Sequence, residues 1–274
     1  MAGDDERGGR LFDSWRSEAN PRQFEPDSKG TAGVPDGKGG PRGDGTLLFA
    51  DGRPLLNDEG HDYRFKNLFG WDLRGPAGIY GPAQQNKKSL LGVDLLAWPG
   101  DATALADRLE KGDAQIPAFG PVMERSDLEA LASFVVAVRD GKLPRPDQLF
   151  RLTSPAQQNY ALVEGASAER GKQLYAQRCT GCHGADGTRM LFDKGAYSLG
   201  SHARQKAYED WAKILNGHPG SAMKRQVRGA TGKEMTQELL DLLAALCDRS
   251  AFPRGTASQP DVPDGDPRCG GYLR

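Results

Sequence analysis

Apolar side chains recur mainly at helical spacing along the 274 residues. Leu131, Phe134, Val135 and Val138 make an i, i+3, i+4, i+7 stripe, the pattern of an amphipathic helix. Ser126-Asp127-Leu128-Glu129 has the form of a capping box and predicts where that helix opens; Gly141 predicts its stop. Another helix is expected over Thr103 to Lys111. Ser167-Ala168-Glu169-Arg170 opens a further one that carries Leu174 and Tyr175. A helix is then predicted from Gln205 to Leu215. The last, capped by Thr236, sets Leu239, Leu242, Leu243 and Leu246 on one face. Near the N-terminus, Gly8-Gly9-Arg10-Leu11-Phe12-Asp13-Ser14-Trp15 also places apolar residues at helical intervals and is expected to dock on the domain that follows. No stretch alternates as a half-buried strand does, so the class is mostly α with long loops.

Glycine and proline change this picture by breaking it up. They number 36 and 18, about a fifth of the chain, and imply much loop. Gly30 to Gly45 reads as irregular, and Pro144 and Pro146 start a linker. The divisions expected are an irregular extension over 1–60, a first helical domain over 61–150, a second over 155–250, and a tail over 251–274. Length alone favours about two domains. Lys and Arg total 36 against 37 for Asp and Glu, a balance that argues against binding to nucleic acid or a membrane surface. No apolar run approaches the ~20 residues that cross a bilayer.

The four cysteines carry the chemistry. Cys179-Thr180-Gly181-Cys182-His183 is a Cys-x-x-Cys-His run, which reads as a covalent haem attachment site. Each thiol adds to one vinyl group, and the adjoining His183 reaches the iron from one face. A zinc half-site or a redox dithiol are the alternatives. Zinc would want a second ligand pair, for which Cys247 and Cys269 are badly spaced, and a dithiol would want a βαβ context where the flanks are helical. Cys247 and Cys269 are then free to pair with each other, the alternative being two unpaired thiols. A disulfide suits an oxidising compartment. Met1-Ala2-Gly3-Asp4-Asp5-Glu6 has neither the basic start nor the apolar stretch of a signal peptide; the expectation is a processed form with an initiator Met.

Opposite His183 the candidates for a second axial ligand are His202, His218, Met223 and Met235. Met223 lies 40 residues past His183, in the Gly/Pro-rich turn Asn216-Gly217-His218-Pro219-Gly220-Ser221-Ala222-Met223, which suits a loop folded over a haem face. It is the first choice, with His218 or an open position as alternatives. Met235 reads as a cover for the last helix, and His202 as a surface histidine.

The run from Glu169-Arg170-Gly171-Lys172-Gln173-Leu174-Tyr175 through Cys179-Thr180-Gly181-Cys182-His183-Gly184-Ala185-Asp186-Gly187 resembles the start of a class I cytochrome c domain. The resemblance implies that Gly171 and Tyr175 lie where the first helix crosses the last, and that Met223 is the distal ligand. Two departures stand out: Lys224 replaces the usual proline after that methionine, and Leu242 and Leu243 replace the last helix's usual aromatic. In the first domain, Leu109-Glu110-Lys111-Gly112-Asp113-Ala114-Gln115-Ile116-Pro117-Ala118-Phe119-Gly120 resembles a distal loop with Ile116 in the methionine slot. Phe65-Lys66-Asn67-Leu68-Phe69-Gly70-Trp71-Asp72 is similar to a haem motif of two-haem bacterial cytochromes, with Phe65, Leu68 and Phe69 in place of both thiols and the histidine. On this register Phe65, Leu68, Phe69, Trp71 and Ile116 are core rather than site. A chance echo in an unrelated helical domain is the competing view.

Taken together, the resemblance implies two class I cytochrome c-like helical domains with long loops, an N-terminal extension and a C-terminal tail. Only the second domain holds haem c, one per chain, through Cys179, Cys182, His183 and Met223. The function implied is that of a periplasmic or otherwise exported single-electron carrier rather than an enzyme. Its partner is a redox protein docking at the exposed haem edge, near the basic cluster Lys224, Arg225, Arg228 and Lys233; the N-terminal domain offers a place for a partner subunit. Two other classes stay open: a redox enzyme on small sulfur compounds, similar to thiosulfate-oxidising cytochromes, and a haem-based gas or redox sensor.

Overall fold

A computed structural model describes residues 2–19, 46–56, 64–81, 90–153 and 160–274; the glycine-rich stretch Gly30–Gly45 and the expected domain start at His61 lie outside them. The chain divides into two units. The first comprises Met1–Asp140, Pro155–Gln157 and Asn216–Lys224; the second comprises Gly141–Ser154, Gln158–Leu215 and Arg225–Arg274.

In the first unit the N-terminal stretch with apolar residues at helical intervals forms a helix, α1 (Ala2–Glu18), bent at Ser14, within the span expected to be an irregular extension. It buries Leu11, Phe12 and Trp15 and packs on α4 (Arg125–Arg139). The approach is close because Gly8 faces the backbone of α4: a Cβ there would overlap the Ala130 carbonyl. A short hairpin pairs β1 (Thr46–Leu48) with β2 (Pro54–Leu56), Thr46 opposite Leu56, which the absence of strand alternation had not predicted. α2 (Phe65–Phe69) and α3 (Ala102–Lys111) complete the set. The α3 start agrees with expectation and is capped by Asp101, which accepts from Ala104 N at 2.8 Å.

The predicted capping box at Ser126 is not formed. α4 begins two residues earlier, with Glu124 at the cap position, and no side chain caps it. Ion pairs hold the start instead: Arg125 binds Asp107 and Glu110 from outside the helix and Glu129 one turn along it, and buried Asp127 pairs with Arg7. Phe65, Leu68, Phe69 and Ile116 have no exposed surface, and Trp71 almost none. Phe65 meets Phe119 with ring centroids 4.4 Å apart and Phe69 at 6.1 Å. These residues are core, as expected of them.

Buried beside this core is Asp72. One carboxylate oxygen accepts Ile79 N at 2.7 Å and the other has no partner, so burial prevails and pushes the group from 3.8 up to about 6. The folded chain therefore holds a proton that the unfolded chain releases between those values. The associated stability is fully present below pH 3.8 and is lost as pH rises through about 6. Asp72→Asn, which keeps an acceptor for Ile79, is expected to gain about 3 kcal/mol on the wild type near neutral pH and little in acid. Urea unfolding of both proteins across this range checks it; a difference that does not change with pH refutes it.

The second unit is built on α5 (Ala168–Arg178) and α8 (Gly232–Leu246), which pack together. Between them in sequence come the single turn α6 (Thr180–His183) and α7 (Leu199–Asn216), whose last residue groups with the first unit. β3 (Phe150–Leu152) pairs antiparallel with β4 (Tyr160–Leu162). Ser167 caps α5 as expected, accepting from Arg170 N at 3.2 Å. The helix expected from Gln205 starts at Leu199 and is bent at Lys206.

Thr236 does not cap α8: it lies inside the helix, its hydroxyl donating to Gly232 O at 2.7 Å. The cap is Thr231, in a reciprocal box with Glu234. Gly171 makes the α5–α8 crossing possible, because a Cβ there would overlap the Asp241 carbonyl and sit 2.8 Å from Ala245 Cβ. The aromatic missing from α8 comes from beyond it, since Phe252 packs edge-on against Tyr175 at 4.7 Å.

Cys247 and Cys269 form a disulfide, which ties the tail back; closing a loop of this size stabilises by about 3 kcal/mol. Fully buried Arg204 is a second strap. It donates to both oxygens of Asp261 and to the carbonyls of Leu246 and Phe252.

Candidate functional site

Both thiols and the imidazole of the Cys-x-x-Cys-His run hang from one turn. α5 ends at Cys179, whose N–H donates to Tyr175 O at 2.8 Å. Then α6 turns once: Cys182 N and His183 N both donate to Cys179 O, at 3.2 and 2.9 Å. Residues three and four apart share a helix face, which is why two intervening residues bring the three groups to one side. Gly184, at φ +83°, ends the turn, and Tyr175 Oη pins its carbonyl at 2.7 Å. Arg178, immediately before the first thiol, is anchored on Gln226 O at 2.8 Å and on Glu238 at 2.7 Å. The turn is thereby tied to α5 and α8 rather than left as a loop.

Cys179 and Cys182 are free thiols, the first half-buried and the second exposed. Burial pushes the Cys179 thiol up to about 11, against the pull of Arg178. Burial also lowers His183, the charge of Asp210 opposing, which keeps the imidazole in the neutral form that binds metals. Its Nδ1 is buried without a partner, as is the Trp211 indole N–H. Just past the motif, Met190 and Leu191 are exposed at 46% and 38%, an apolar surface that a flat hydrophobic group would cover. Paired free thiols, a neutral imidazole, orphaned buried nitrogens and uncovered apolar side chains together fit a thioether-linked haem. Among the described residues no group of three or more His, Cys, Asp or Glu is placed to hold a bare metal ion.

His202 is not a surface residue. It is 5% exposed, with Nδ1 hydrogen-bonded to the Asp210 carboxylate at 2.9 and 3.1 Å. Its ring lies 5.8 Å from Phe192, which is 6.0 Å from the His183 ring. Burial opposes its protonation, but the Asp210 charge and hydrogen bond outweigh it and hold the pKa above the usual range. Eight residues span about 12 Å in a straight helix, so the bend at Lys206 is what lets His202 and Asp210 meet. A helix read as starting at Gln205 hides this pair, and no spacing rule signals it.

Met223 is half-buried in a loop that closes on itself. His218 N donates to Met223 O at 3.2 Å, Met223 N to Ser221 Oγ at 3.1 Å, and Ser221 Oγ to His218 O at 2.9 Å. Gly217, at φ +84°, lies against the Met223 carbonyl where no side chain fits. His218 is exposed, its Nδ1 at 3.0 Å from Pro219 O. Met235 is buried, as expected of a helix cover. Of the basic cluster, Lys224, Arg228 and Lys233 are exposed, whereas the Arg225 Nε donates to Leu215 O at 2.8 Å.

Residues 168–245 match the family model described as Cytochrome c. The match begins with α5 and ends one residue before α8 does. It supports a c-type cytochrome, a haem-based electron carrier in general terms, and implies covalently bound haem c. No curated protein and no solved structure matches the chain. No described helix is long and apolar enough to cross a membrane.

Proposed function

We propose that this chain is an exported, periplasmic monohaem c-type cytochrome that passes single electrons to or from a protein partner. The observation that carries the reading is the presentation of two free thiols and a neutral imidazole by one anchored turn, inside the segment that matches the cytochrome c family. Bound haem would supply a one-electron iron centre whose potential depends on its axial ligands and burial. Cys179 and Cys182 would hold the porphyrin by thioethers, and His183 and Met223 would supply the ligands to its iron. A thioether ligand raises the potential relative to a second histidine. The exposed Arg228 and Lys233 favour an acidic partner, whose approach they would steer.

The first unit, on this reading, is a cytochrome c-like domain that no longer binds haem. Its support is that Phe65, Leu68, Phe69 and Ile116, in the slots of two thiols, histidine and methionine, are all fully buried. An emptied haem cavity would cost tens of cal/mol per Å³ unless refilled in this way.

Haem per chain, measured as the pyridine haemochrome, should be one; a value of two removes the argument about the first unit. The ferric protein should show the sulfur-to-iron charge-transfer band of His/Met ligation, and Met223→Ala should abolish it. A band that survives moves the ligand to another methionine. A high-spin spectrum that responds to CO in the wild type points instead to an enzyme or a sensor.

A further inference from the structure

Two adjacent glycines of α1 meet two different elements. Gly8 lies on the backbone of α4, while Gly9 lies on Asn216, where a Cβ would overlap the side-chain amide. Asn216 opens the loop that carries Met223. Its amide is buried and makes no hydrogen bond, so its tie to α1 is by packing on Gly9 and through its main-chain carbonyl. That carbonyl accepts Arg10 Nη1 at 3.1 Å, in the interior.

Arg10 is only 8% exposed and is itself held at both ends of the helix. Its Nε donates to Glu18 at 2.8 Å, and Nη1 also donates to Glu6 at 3.0 Å. At the far side of the loop Gly220 N donates to the other Glu18 oxygen at 3.4 Å, and a Cβ on Gly220 would sit 3.1 Å from Ser17 O. One helix thus grips the loop before and after the histidine-proline turn, through a carboxylate that also holds Arg10.

We propose that α1 is a clamp on the distal-ligand loop, and that Arg10 and Gly9 are positioning residues that set how firmly the Met223 thioether is offered to the iron. The inference rests on Met223 being that ligand. A charge-assisted hydrogen bond to a buried carbonyl shifts an opening equilibrium by about tenfold or more, and the population with the thioether detached scales with that opening.

The test uses the full-length holoprotein. Arg10→Gln removes the charged clamp, and Arg10→Lys is the conservative control. Gly9→Ala raises helix propensity while wedging α1 off Asn216, so its effect on the iron cannot stem from a weaker helix. The readouts are the charge-transfer band and the rate at which the ferrous protein takes up CO, which requires the sixth position to open. Arg10→Gln and Gly9→Ala are expected to weaken the band and speed CO uptake by about tenfold, with Arg10→Lys nearer the wild type. A purely structural role would lower the unfolding midpoint and leave band and CO rate unchanged in the folded proteins; that result overturns the clamp and leaves the ligand assignment standing. A wild type without the band overturns the assignment, and the clamp with it.

Discussion

A chain in which Cys179 and Cys182 are both serine is expected to carry no haem through a denaturing gel, whereas the wild type stains for haem after its polypeptide unfolds. The loss should be complete, because each thioether needs one of these two sulfurs and the remaining cysteines are joined to each other. The fold gives the variant a fair chance to persist. Cys182 is exposed and Gly181 beside it faces open space, while Cys179 packs only partly against the cluster of Leu174, Tyr175, Leu242 and Phe252. Swapping that one thiol for a hydroxyl costs about 1 kcal/mol. A single Cys182→Ser change should leave one covalent link. If the wild type is colourless, or if elemental analysis finds zinc bound at these sulfurs, the haem reading is lost.

Gly171→Ala should be the most damaging small change in the second unit. A methyl at this point meets the carbonyl of Asp241 and the Cβ of Ala245, and neither can withdraw. Asp241 is fully buried, and its carboxylate accepts Ser167 N at 2.7 Å and binds Arg170; Ala245 is equally buried. The helices must separate, and because α5 leads straight into Cys179 the displacement reaches the haem turn. Overpacking of this kind costs about 3 kcal/mol, well beyond the slight gain in helix propensity. Denaturant unfolding of the holoprotein measures it, with the exposed Gly92→Ala, which meets nothing within 4 Å, as a control expected near zero. A Gly171 variant as stable as that control would mean the crossing is looser than described.

The geometry of the Cys-x-x-Cys-His turn was legible in the sequence because it is local. Cys179, Cys182 and His183 lie within five residues, and a single helical turn puts them together whatever the rest of the chain does. Ser167 capping α5 and Asp101 preceding α3 are local in the same way. Thr231 and Glu234 form an equally local box, five residues before Thr236, which stands closer to the leucine stripe but inside the helix.

What failed was decided from a distance. Ser126 lost the start of α4 to ion pairs that Arg125 makes with Asp107 and Glu110, eighteen and fifteen residues away. His202 is buried because a bend in α7 closes it on Asp210. Phe252, outside every predicted helix, fills the aromatic gap that α8 leaves against Tyr175. The sequence by itself determined the Cys-x-x-Cys-His turn, the helical class and the burial of Phe65, Leu68, Phe69 and Ile116, since each depends on residue type or on spacing within a few positions. Only the tertiary structure decided that α1 grips the loop of Met223, because Arg10 and the carbonyl of Asn216 are 206 residues apart and no periodicity links positions that far along a chain.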